Sequence, residues 1–304
     1  MLRKPRGSDI ALILLVVLIW ASAFQAIKIA APQIGALWTA ALRTWIGFAV
    51  LLPFALWRGW LWPEGASQWL LLMLVALLNV VLPFTLISWA ETTIPSSLTA
   101  LLMGAGPIWA VLLSHVMTED DRLNTRKVVG VVLGFAGVAL VVGRDALSSG
   151  GGPLLAQTAA FAGSLFYVVS GVLVRKFRNL PPTRLATLIL AMASLQFGLA
   201  IWLAGAEWPA VYGDSAILAV LYLGLLPTGL AYLIRYHLIS TIGYSYLALG
   251  VNLLPVFGVM LGALILGEPV TGPMLGALAL IVAGLAVARG GAGSPEPVNG
   301  RVSP

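Results

Sequence analysis

The feature that most constrains this chain is a series of apolar runs, each long enough to cross a membrane as a helix. A helix of about 20 residues spans a hydrocarbon core about 30 Å thick. Inside lipid, backbone polar groups must be satisfied within the segment itself, which excludes open strands. The sequence therefore predicts an all-α integral membrane protein with ten transmembrane helices. They cover residues 9–28, 33–56, 67–89, 96–117, 127–143, 152–174, 184–204, 214–235, 244–266 and 272–289.

The composition supports a membrane protein and excludes several kinds of partner. Of the 304 residues, 60% are hydrophobic and 9% are charged, whereas a soluble domain carries about 25% charged residues. The net charge of +6 does not indicate nucleic acid, because the basic residues lie in short loops where a membrane surface accounts for them. Cysteine is absent, which excludes disulfides and thiolate metal sites. We expect no cofactor, no metal and no nucleic-acid partner.

Lysine and arginine are distributed unevenly between the two sides of this topology. If the N-terminus is cytoplasmic, 14 of the 17 basic residues lie inside, Lys28 and Arg144 lie outside, and Arg43 lies within a span. This excess follows the positive-inside rule and predicts that both termini are cytoplasmic. We expect the protein in the bacterial inner membrane, with a disordered cytoplasmic tail at 290–304, which is rich in Gly, Pro and Ser.

The sequence also contains an internal repeat, because its two halves share one pattern. Each half holds five spans, and an odd number makes the second half enter the membrane from the opposite side. The sequence thus predicts a first five-helix repeat at 1–147 and a second, inverted repeat at 148–289. Secondary transporters have this architecture, with a substrate site near the midplane where the repeats meet. Three pairs of matching residues lie 144 to 149 positions apart: Pro83 with Pro227, Pro107 with Pro255, and Glu119, predicted cytoplasmic, with Glu268, predicted external.

The four prolines in this set predict interrupted helices. A proline removes a backbone donor and disturbs the carbonyl one turn earlier, and in lipid such breaks face protein or water. Breaks at 79–83 and 224–227 form one matched pair, and breaks at 104–107 and 252–255 form the other. We interpret the set as the wall and hinges of a cavity. The alternative is that each proline is a simple packing kink.

Polar and aromatic side chains within the spans are the candidates for substrate binding. Amides beside flat rings suit a zwitterion with an apolar or aromatic side chain, and they also suit many drugs and metabolites. Each side chain alone could equally be a helix-to-helix contact or part of the core. The candidates are Trp20, Gln25, Asn79, Trp109, Ser164, Tyr167, Tyr232, Tyr246 and Asn252.

Both halves resemble the EamA-type repeat of the drug/metabolite transporter superfamily. In the second half the resemblance rests on Pro255, on LGE at 266–268 and on the small-residue run at 276–284, whose spacing lets helix backbones approach closely. The first half departs from the pattern, with Thr118 where the second half has Gly267. Its other matching features are the WASAF segment that begins at Trp20 and leads to Lys28, then Arg43, and Pro107 with Glu119.

Within that superfamily the chain is most similar to bacterial amino-acid exporters of the YddG kind. This resemblance implies a secondary transporter that moves a small-molecule substrate, an amino acid or similar metabolite, by alternating access and functions as a monomer. A carrier of drugs or other metabolites with the same fold is the alternative.

Two basic residues within or beside the spans have open roles. An arginine at a helix centre costs about 2.5–3.5 kcal/mol on insertion scales, so something must offset Arg43. It could pair with a substrate carboxylate or tether a neighbouring helix, and the family resemblance favours the tether because the family places an arginine here across varied substrates. Lys28, at the outer end of span 1, could reach the membrane surface or line an outer gate.

The acidic residues favour transport that is not coupled to protons. Glu91, Glu119, Asp214 and Glu268 all fall near span ends, whereas proton-coupled carriers usually hold a carboxylate or histidine within the pathway. We therefore expect facilitated or exchange transport.

Two other classes of function are disfavoured. An intramembrane enzyme needs a nucleophile with a base, or clustered metal ligands, but the chain has two histidines and no cysteine. We expect no catalytic residues. A scaffold or receptor should show larger segments outside the membrane than these short loops.

Overall fold

The apolar runs fold into a bundle of helices. The computed structural model describes residues 3, 5–57, 59, 62–117, 124–148, 152–177, 179–209 and 213–289. In the first half the helices are α1 (Gly7–Ile34), α2 (Ala36–Trp57), α3 (Gly65–Ala76), α4 (Leu82–Thr93), α5 (Ser96–Met103), α6 (Gly106–Met117) and α7 (Thr125–Ser148). In the second half they are α8 (Gly152–Val174), α9 (Pro182–Leu203), α10 (Asp214–Leu223), α11 (Ala231–Ile242), α12 (Tyr244–Val251), α13 (Leu254–Leu266) and α14 (Gly272–Arg289). Two π-helical segments, π1 (Leu77–Val81) and π2 (Gly224–Leu230), join α3 to α4 and α10 to α11.

The described residues contain no strand, as the apolar runs predict. Eight helical stretches among them, some of which contain a break, are long and apolar enough to cross a membrane: Gly7–Ile34, Ala36–Trp57, Gly65–Thr93, Ser96–Leu113, Thr125–Val142, Pro153–Val174, Pro182–Leu203 and Asp214–Ile242. The predicted ninth and tenth spans correspond to shorter apolar helices, at Leu254–Leu266 and Gly272–Val287. The all-α membrane fold is thus observed, and the count of ten crossings stays a prediction.

The helices are interrupted at all four proline positions. The π1 and π2 segments lie at the first matched pair, and turns at 104–105 and 252–253 lie at the second. Pro227 lies inside π2, whereas Pro83, Pro107 and Pro255 are each the second residue of the helix that follows the break. That position suits proline, because the first turn of a helix leaves its N–H groups without partners. Whether these breaks act as hinges stays a prediction.

Glycine brings α7 and α14 into the closest contact. A Cβ atom built on Gly284 would lie 2.6 Å from the carbonyl oxygen of Gly130, and one built on Gly137 would lie 2.9 Å from that of Ala277. Because these neighbouring atoms belong to the backbone, they cannot move aside as a flexible side chain would. The small residues of the 276–284 run therefore let two backbones touch, which is how helices associate without a hydrophobic driving force.

The two halves of the chain share an extensive interface. Helix α1 packs against α10, α11 and α13, and α2 packs against π2 and α9. In a further contact, α5 lies on α13, where Gly258 faces Ala100. Both π segments lie in this shared region, because π1 also packs against α8 and α9.

Two sequence predictions fall on residues that the structure does not describe. These are the cytoplasmic position of Glu119 and the disordered tail at 290–304. The predicted first span also ends early, because α1 continues past Lys28 to Ile34.

Candidate functional site

A buried guanidinium lies where α2, α4 and π2 meet. Arg43 is 6% exposed, and its guanidinium carbon lies 3.8 Å from the centre of the Phe84 ring, a geometry that attracts a cation to the ring face. Its Nε and Nη2 atoms lie 3.4 and 3.3 Å from the hydroxyl oxygen of Thr228. No acidic side chain of the described residues forms an ion pair with it. The arginine is held in place without having its charge neutralised.

The interruption at π2 is tied to α1 by an indole. The Nε1 atom of Trp20 donates to the carbonyl oxygen of Pro227 at 3.1 Å. The next residue, Thr228, donates its hydroxyl to the carbonyl oxygen of Leu223 at 2.8 Å. Polar side chains thus donate hydrogen bonds to carbonyl oxygens at the broken segment. Such oxygens would have no water to bind if they faced lipid.

Two tyrosine rings, one from α8 and one from α11, lie near the guanidinium. Tyr167 and Tyr232 are half-buried and pack against the hydrophobic cluster that contains Phe84, within electrostatic range of Arg43. Beside them, the side-chain amide of Asn79 in π1 donates to the Ser170 hydroxyl at 2.7 Å. We call this group the central cluster. It consists of Trp20, Arg43, Asn79, Phe84, Tyr167, Thr228 and Tyr232.

A second polar group lies toward the adjoining ends of α4 and α5. The ammonium of Lys28 donates to the carbonyl oxygens of Glu91 at 2.7 Å and Ile94 at 2.9 Å. Lysine near a helix C-terminus commonly satisfies the last carbonyls in this way. The charge therefore holds α1 to the end of α4.

Gln25 continues this group across the two halves of the chain. The side chain is 2% exposed, and its Nε2 atom lies 3.3 Å from the Ser96 hydroxyl and 3.1 Å from the Gly258 carbonyl oxygen. The amide thus links α1 to α5 and α13.

The carboxylate of Glu268 completes the group by capping α5. Its two oxygens accept hydrogen bonds from the backbone N–H groups of Ser96 and Ser97, each at 2.8 Å. Burial alone would raise the pKa of this carboxyl, but the hydrogen bonds from Ser97 and Ser96 outweigh burial and hold the pKa below its ordinary value. We call this group the end cluster. It consists of Gln25, Lys28, Glu91, Ser96, Ser97, Thr99 and Glu268.

Four candidates from the sequence make their contacts elsewhere. Ser164 donates to the Phe161 carbonyl oxygen of its own helix at 2.7 Å, and the Asn252 amide lies 3.1 Å from the Leu249 carbonyl oxygen. Tyr246 is 42% exposed on the bundle surface. Trp109 stacks among apolar rings, with its ring centre 5.8 Å from that of Phe135 and 4.9 Å from that of Phe161.

A separate apolar cavity of about 210 Å³ lies beside the central cluster, between the end of α1, α2 and α10. Leu42 and Ile46, which flank Arg43 on α2, form part of its wall, and Trp208 contributes an aromatic face. Because its lining is apolar, this cavity could accept an apolar group of matching shape but offers few hydrogen-bonding partners.

The chain matches a known family model twice. Residues 8–143 and residues 154–289 each match the model of the EamA-like transporter family. The chain belongs to this family. The match covers both halves of the bundle and includes every member of the central and end clusters.

Relatives of this EamA-like transporter carry the names of transporters and of an exporter. An uncharacterized transporter of Archaeoglobus fulgidus is 26% identical over 251 residues, which covers 81% of this chain and 85% of the relative. The uncharacterized transporter YoaV of Bacillus subtilis is 24% identical over 90% of this chain and 94% of its own. The aromatic amino acid exporter YddG of Ancylobacter novellus is 30% identical over 198 residues, covering 60% of this chain and 63% of the exporter.

A solved crystal structure has the same fold as this EamA-like transporter. The two superpose with a TM-score of 0.63 at 26% sequence identity, covering 93% of this chain and 98% of that one. The family and the names of the relatives indicate a membrane transporter for small molecules, not an enzyme.

Sequence reasoning about this transporter missed the role of Thr228 and the burial of Glu91. Thr228 directly follows Pro227, and a hydroxyl beside a helix break is the signal that could have identified it. Glu91 lies two residues before the α4 terminus at Thr93, yet its exposure is 0%. Its position in the sequence carries no signal of that burial.

We expect Glu268→Gln to lower the thermal stability of the EamA-like transporter at neutral pH and to flatten its loss of stability in acid. Since the folded-state pKa lies below the ordinary value of 4.5, the carboxylate stabilises the fold fully above that pH. The stabilisation is lost as the pH falls through the folded-state pKa. Melting temperatures of purified protein across this pH range test the prediction.

The control for this experiment is Glu64→Gln, which makes the same chemical change at an exposed position before α3. It should leave the melting profile of the wild type unchanged. If Glu268→Gln also followed the wild-type curve in acid, the α5 cap would not contribute to stability.

Proposed function

We propose that this transporter exports small organic metabolites, amino acids with aromatic or apolar side chains among them, across the bacterial inner membrane. The observation that carries the proposal is the central cluster. It places a permanently charged guanidinium, which forms no ion pair with any described residue, beside aromatic rings and near the helix breaks of both halves.

The chemistry of the central cluster fits an amino acid with a flat or apolar side chain. A guanidinium binds a carboxylate through paired, charge-assisted hydrogen bonds, and it remains charged at every physiological pH. The rings of Trp20, Tyr167 and Tyr232 offer faces on which an aromatic side chain can stack. The relative named as an aromatic amino acid exporter supports both the substrate class and the direction.

The transport cycle that we propose is alternating access between two inverted five-helix repeats, residues 1–147 and 148–289. The repeated family match and the equivalent helix breaks in each half support this arrangement. Rocking of one repeat against the other would expose the central cluster to each side in turn. In the proposed topology, ten crossings leave both termini in the cytoplasm, and one chain forms the whole passage.

Counterflow in proteoliposomes tests the proposed function. Vesicles preloaded with unlabelled tryptophan should take up radiolabelled tryptophan, and phenylalanine and leucine should compete with it. Vesicles without protein provide the background. If no amino acid is exchanged although the protein is folded and inserted, the substrate assignment is wrong, and a panel of other metabolites and drugs would then identify the cargo.

We expect Trp20→Phe to slow tryptophan counterflow by about fivefold, because the variant keeps the ring but removes a hydrogen bond to Pro227 that contributes about 1 kcal/mol. Initial uptake rates measured at equal protein content give this value.

The matched control is Trp202→Phe, which changes a tryptophan that is 74% exposed near the end of α9. It should retain the wild-type rate. Equal rates in both variants would show that the link between α1 and π2 does not serve transport.

A further inference from the structure

A buried carboxyl group in the end cluster accepts no hydrogen bond from the part of the chain that the structure describes. The Glu91 side chain is 0% exposed, and neither of its oxygens forms a hydrogen bond with any described residue. The Thr99 hydroxyl of α5 lies near enough to favour the charged form of the carboxyl slightly, but its hydrogen is donated to the Pro95 carbonyl oxygen at 3.2 Å. An ionised carboxylate is costly in such a place, whereas the neutral acid costs far less.

The charged groups near Glu91 are already engaged with other atoms. Lys28 of α1, Glu268 of the loop after α13 and Arg43 of α2 are the charges that act on it. Lys28 donates to backbone carbonyls, and Glu268 accepts from the backbone of α5. Arg43 contacts Thr228 and the Phe84 ring.

The remaining elements packed on α4 bring no charge to the site. These are π1, α5 and α8, and their sequences contain no charged side chain. Glu91 therefore lies near two cations, one of which, Lys28, bonds the backbone carbonyl oxygen of Glu91, and near one anion, but none of the three is hydrogen-bonded to its carboxyl oxygens.

A stripe on α4 connects this carboxyl with the central cluster. Glu91, Ser88 and Phe84 follow each other at spacings of three and four residues, so they lie on one face of the helix. The Ser88 hydroxyl is also fully buried, and its oxygen has no hydrogen-bond partner among the described residues. Phe84 carries the Arg43 guanidinium on its ring. A line of buried groups thus runs from the end cluster to the proposed substrate site.

We propose that Glu91 is a proton-binding site that couples transport to protons. In the arrangement seen here the sealed carboxyl holds a proton. When the end cluster opens, water reaches the group and accepts that proton, giving the carboxylate and a hydronium ion. The proposal rests on the proposed function as a transporter and replaces the expectation, drawn from the position of acidic residues, that transport is uncoupled.

The contacts that seal Glu91 come from both halves of the chain, which links its protonation to the transport cycle. Gln25 holds α1 to α5 and α13, and Glu268 reaches from the second half to the N-terminus of α5. Movement of the second half away from α5 would break these contacts and wet the carboxyl. Protonation favours the sealed arrangement, and ionisation favours the open one.

Infrared difference spectroscopy on the purified protein tests the proton site without any substrate. At neutral pH the wild-type spectrum should contain the C=O stretch of a protonated carboxylic acid. The band should disappear in Glu91→Gln and persist in Glu91→Asp, which keeps the carboxyl, and in Glu64→Gln, which alters an exposed carboxyl. A band that survives in folded Glu91→Gln overturns the proposal.

Transport measurements test the coupling separately. In vesicles that exchange radiolabelled tryptophan, an imposed pH gradient should drive net tryptophan movement in the wild type and in Glu64→Gln. Glu91→Gln should keep the counterflow rate, but its gradient-driven flux should be at least tenfold lower than that of the wild type. If Glu91→Gln responds to the gradient as the wild type does, coupling through Glu91 is refuted. If the wild type exchanges no tryptophan at all, the substrate proposal fails, and the infrared band alone decides whether Glu91 binds a proton.

Discussion

Arg43→Met is expected to reduce tryptophan counterflow by about 10- to 100-fold, because a hydrogen-bonded charge contributes about 1.5–3 kcal/mol to binding. Methionine keeps much of the length and apolar packing of the arginine stem but removes the guanidinium that lies on Phe84. Initial rates of uptake, measured over a range of tryptophan concentrations, would show whether the loss is in binding.

Two comparisons separate binding of the substrate carboxylate from a tether between helices. Thr228→Val removes the hydroxyl that contacts Arg43 and keeps the charge, so it should slow counterflow much less than Arg43→Met. Tryptamine lacks the carboxylate, so its own affinity should be the same in the wild type and in Arg43→Met. Competition of tryptamine with radiolabelled tryptophan measures that affinity in each protein. Equal losses in the two variants would identify Arg43 as a tether alone.

Gly284→Ala is expected to lower the melting temperature of the protein sharply. The added methyl group would lie 2.6 Å from the carbonyl oxygen of Gly130 and 3.2 Å from the backbone nitrogen of Gly134. Forcing α7 and α14 apart costs about 1–3 kcal/mol by analogy with overpacked cores. Thermal unfolding followed by tryptophan fluorescence in detergent measures the change.

The same substitution at Gly198 should have the opposite sign. Gly198 lies in α9 with no atom within 4 Å of an added Cβ, so alanine gains about 0.5–1 kcal/mol from reduced backbone freedom in the unfolded chain. A Gly284→Ala protein as stable as Gly198→Ala would mean that the contact between α7 and α14 is looser than the structure shows.

The sequence predicts the interruptions of the helices well because their cause is local. Pro83 and Pro227 lack a backbone donor wherever they stand, so the helix must adapt near each one, and the two π segments lie there. The all-α membrane fold is predictable for a similar reason, since the length of an apolar run and the demand for internal hydrogen bonds are properties of the segment itself.

The partners of the polar side chains could not be predicted from the sequence. A serine hydroxyl can turn back to a carbonyl of its own helix, as Ser164 does toward Phe161, and nothing in the sequence distinguishes this from a contact with a substrate. Gln25, by contrast, reaches a carbonyl 233 residues away. The partner of Gln25 depends on which helices pack against α1. The apolar faces of membrane helices do not specify that packing, because many pairs of helices would fit equally well.

The burial of Glu91 shows a further limit. Its distance from the end of a span can be counted along the chain, but its exposure depends on α1, α5 and the loop of Glu268 closing over it. The same closure explains why the Lys28 ammonium donates to two carbonyl oxygens.

The π segments divide each of two long helical stretches into two α-helices, α3 and α4 in the first half and α10 and α11 in the second. A π turn holds an additional residue, so the side chains after it point in directions that the preceding α-helix does not continue. Accordingly α3 leans on α9, whereas α4 beyond π1 leans on α8. If the breaks act as hinges, as we propose, each segment would tilt with the helix on which it packs, and the π segment would take up the change in direction. In the proposed alternating-access cycle, these crossings would then change direction at the π segments without bending an intact helix.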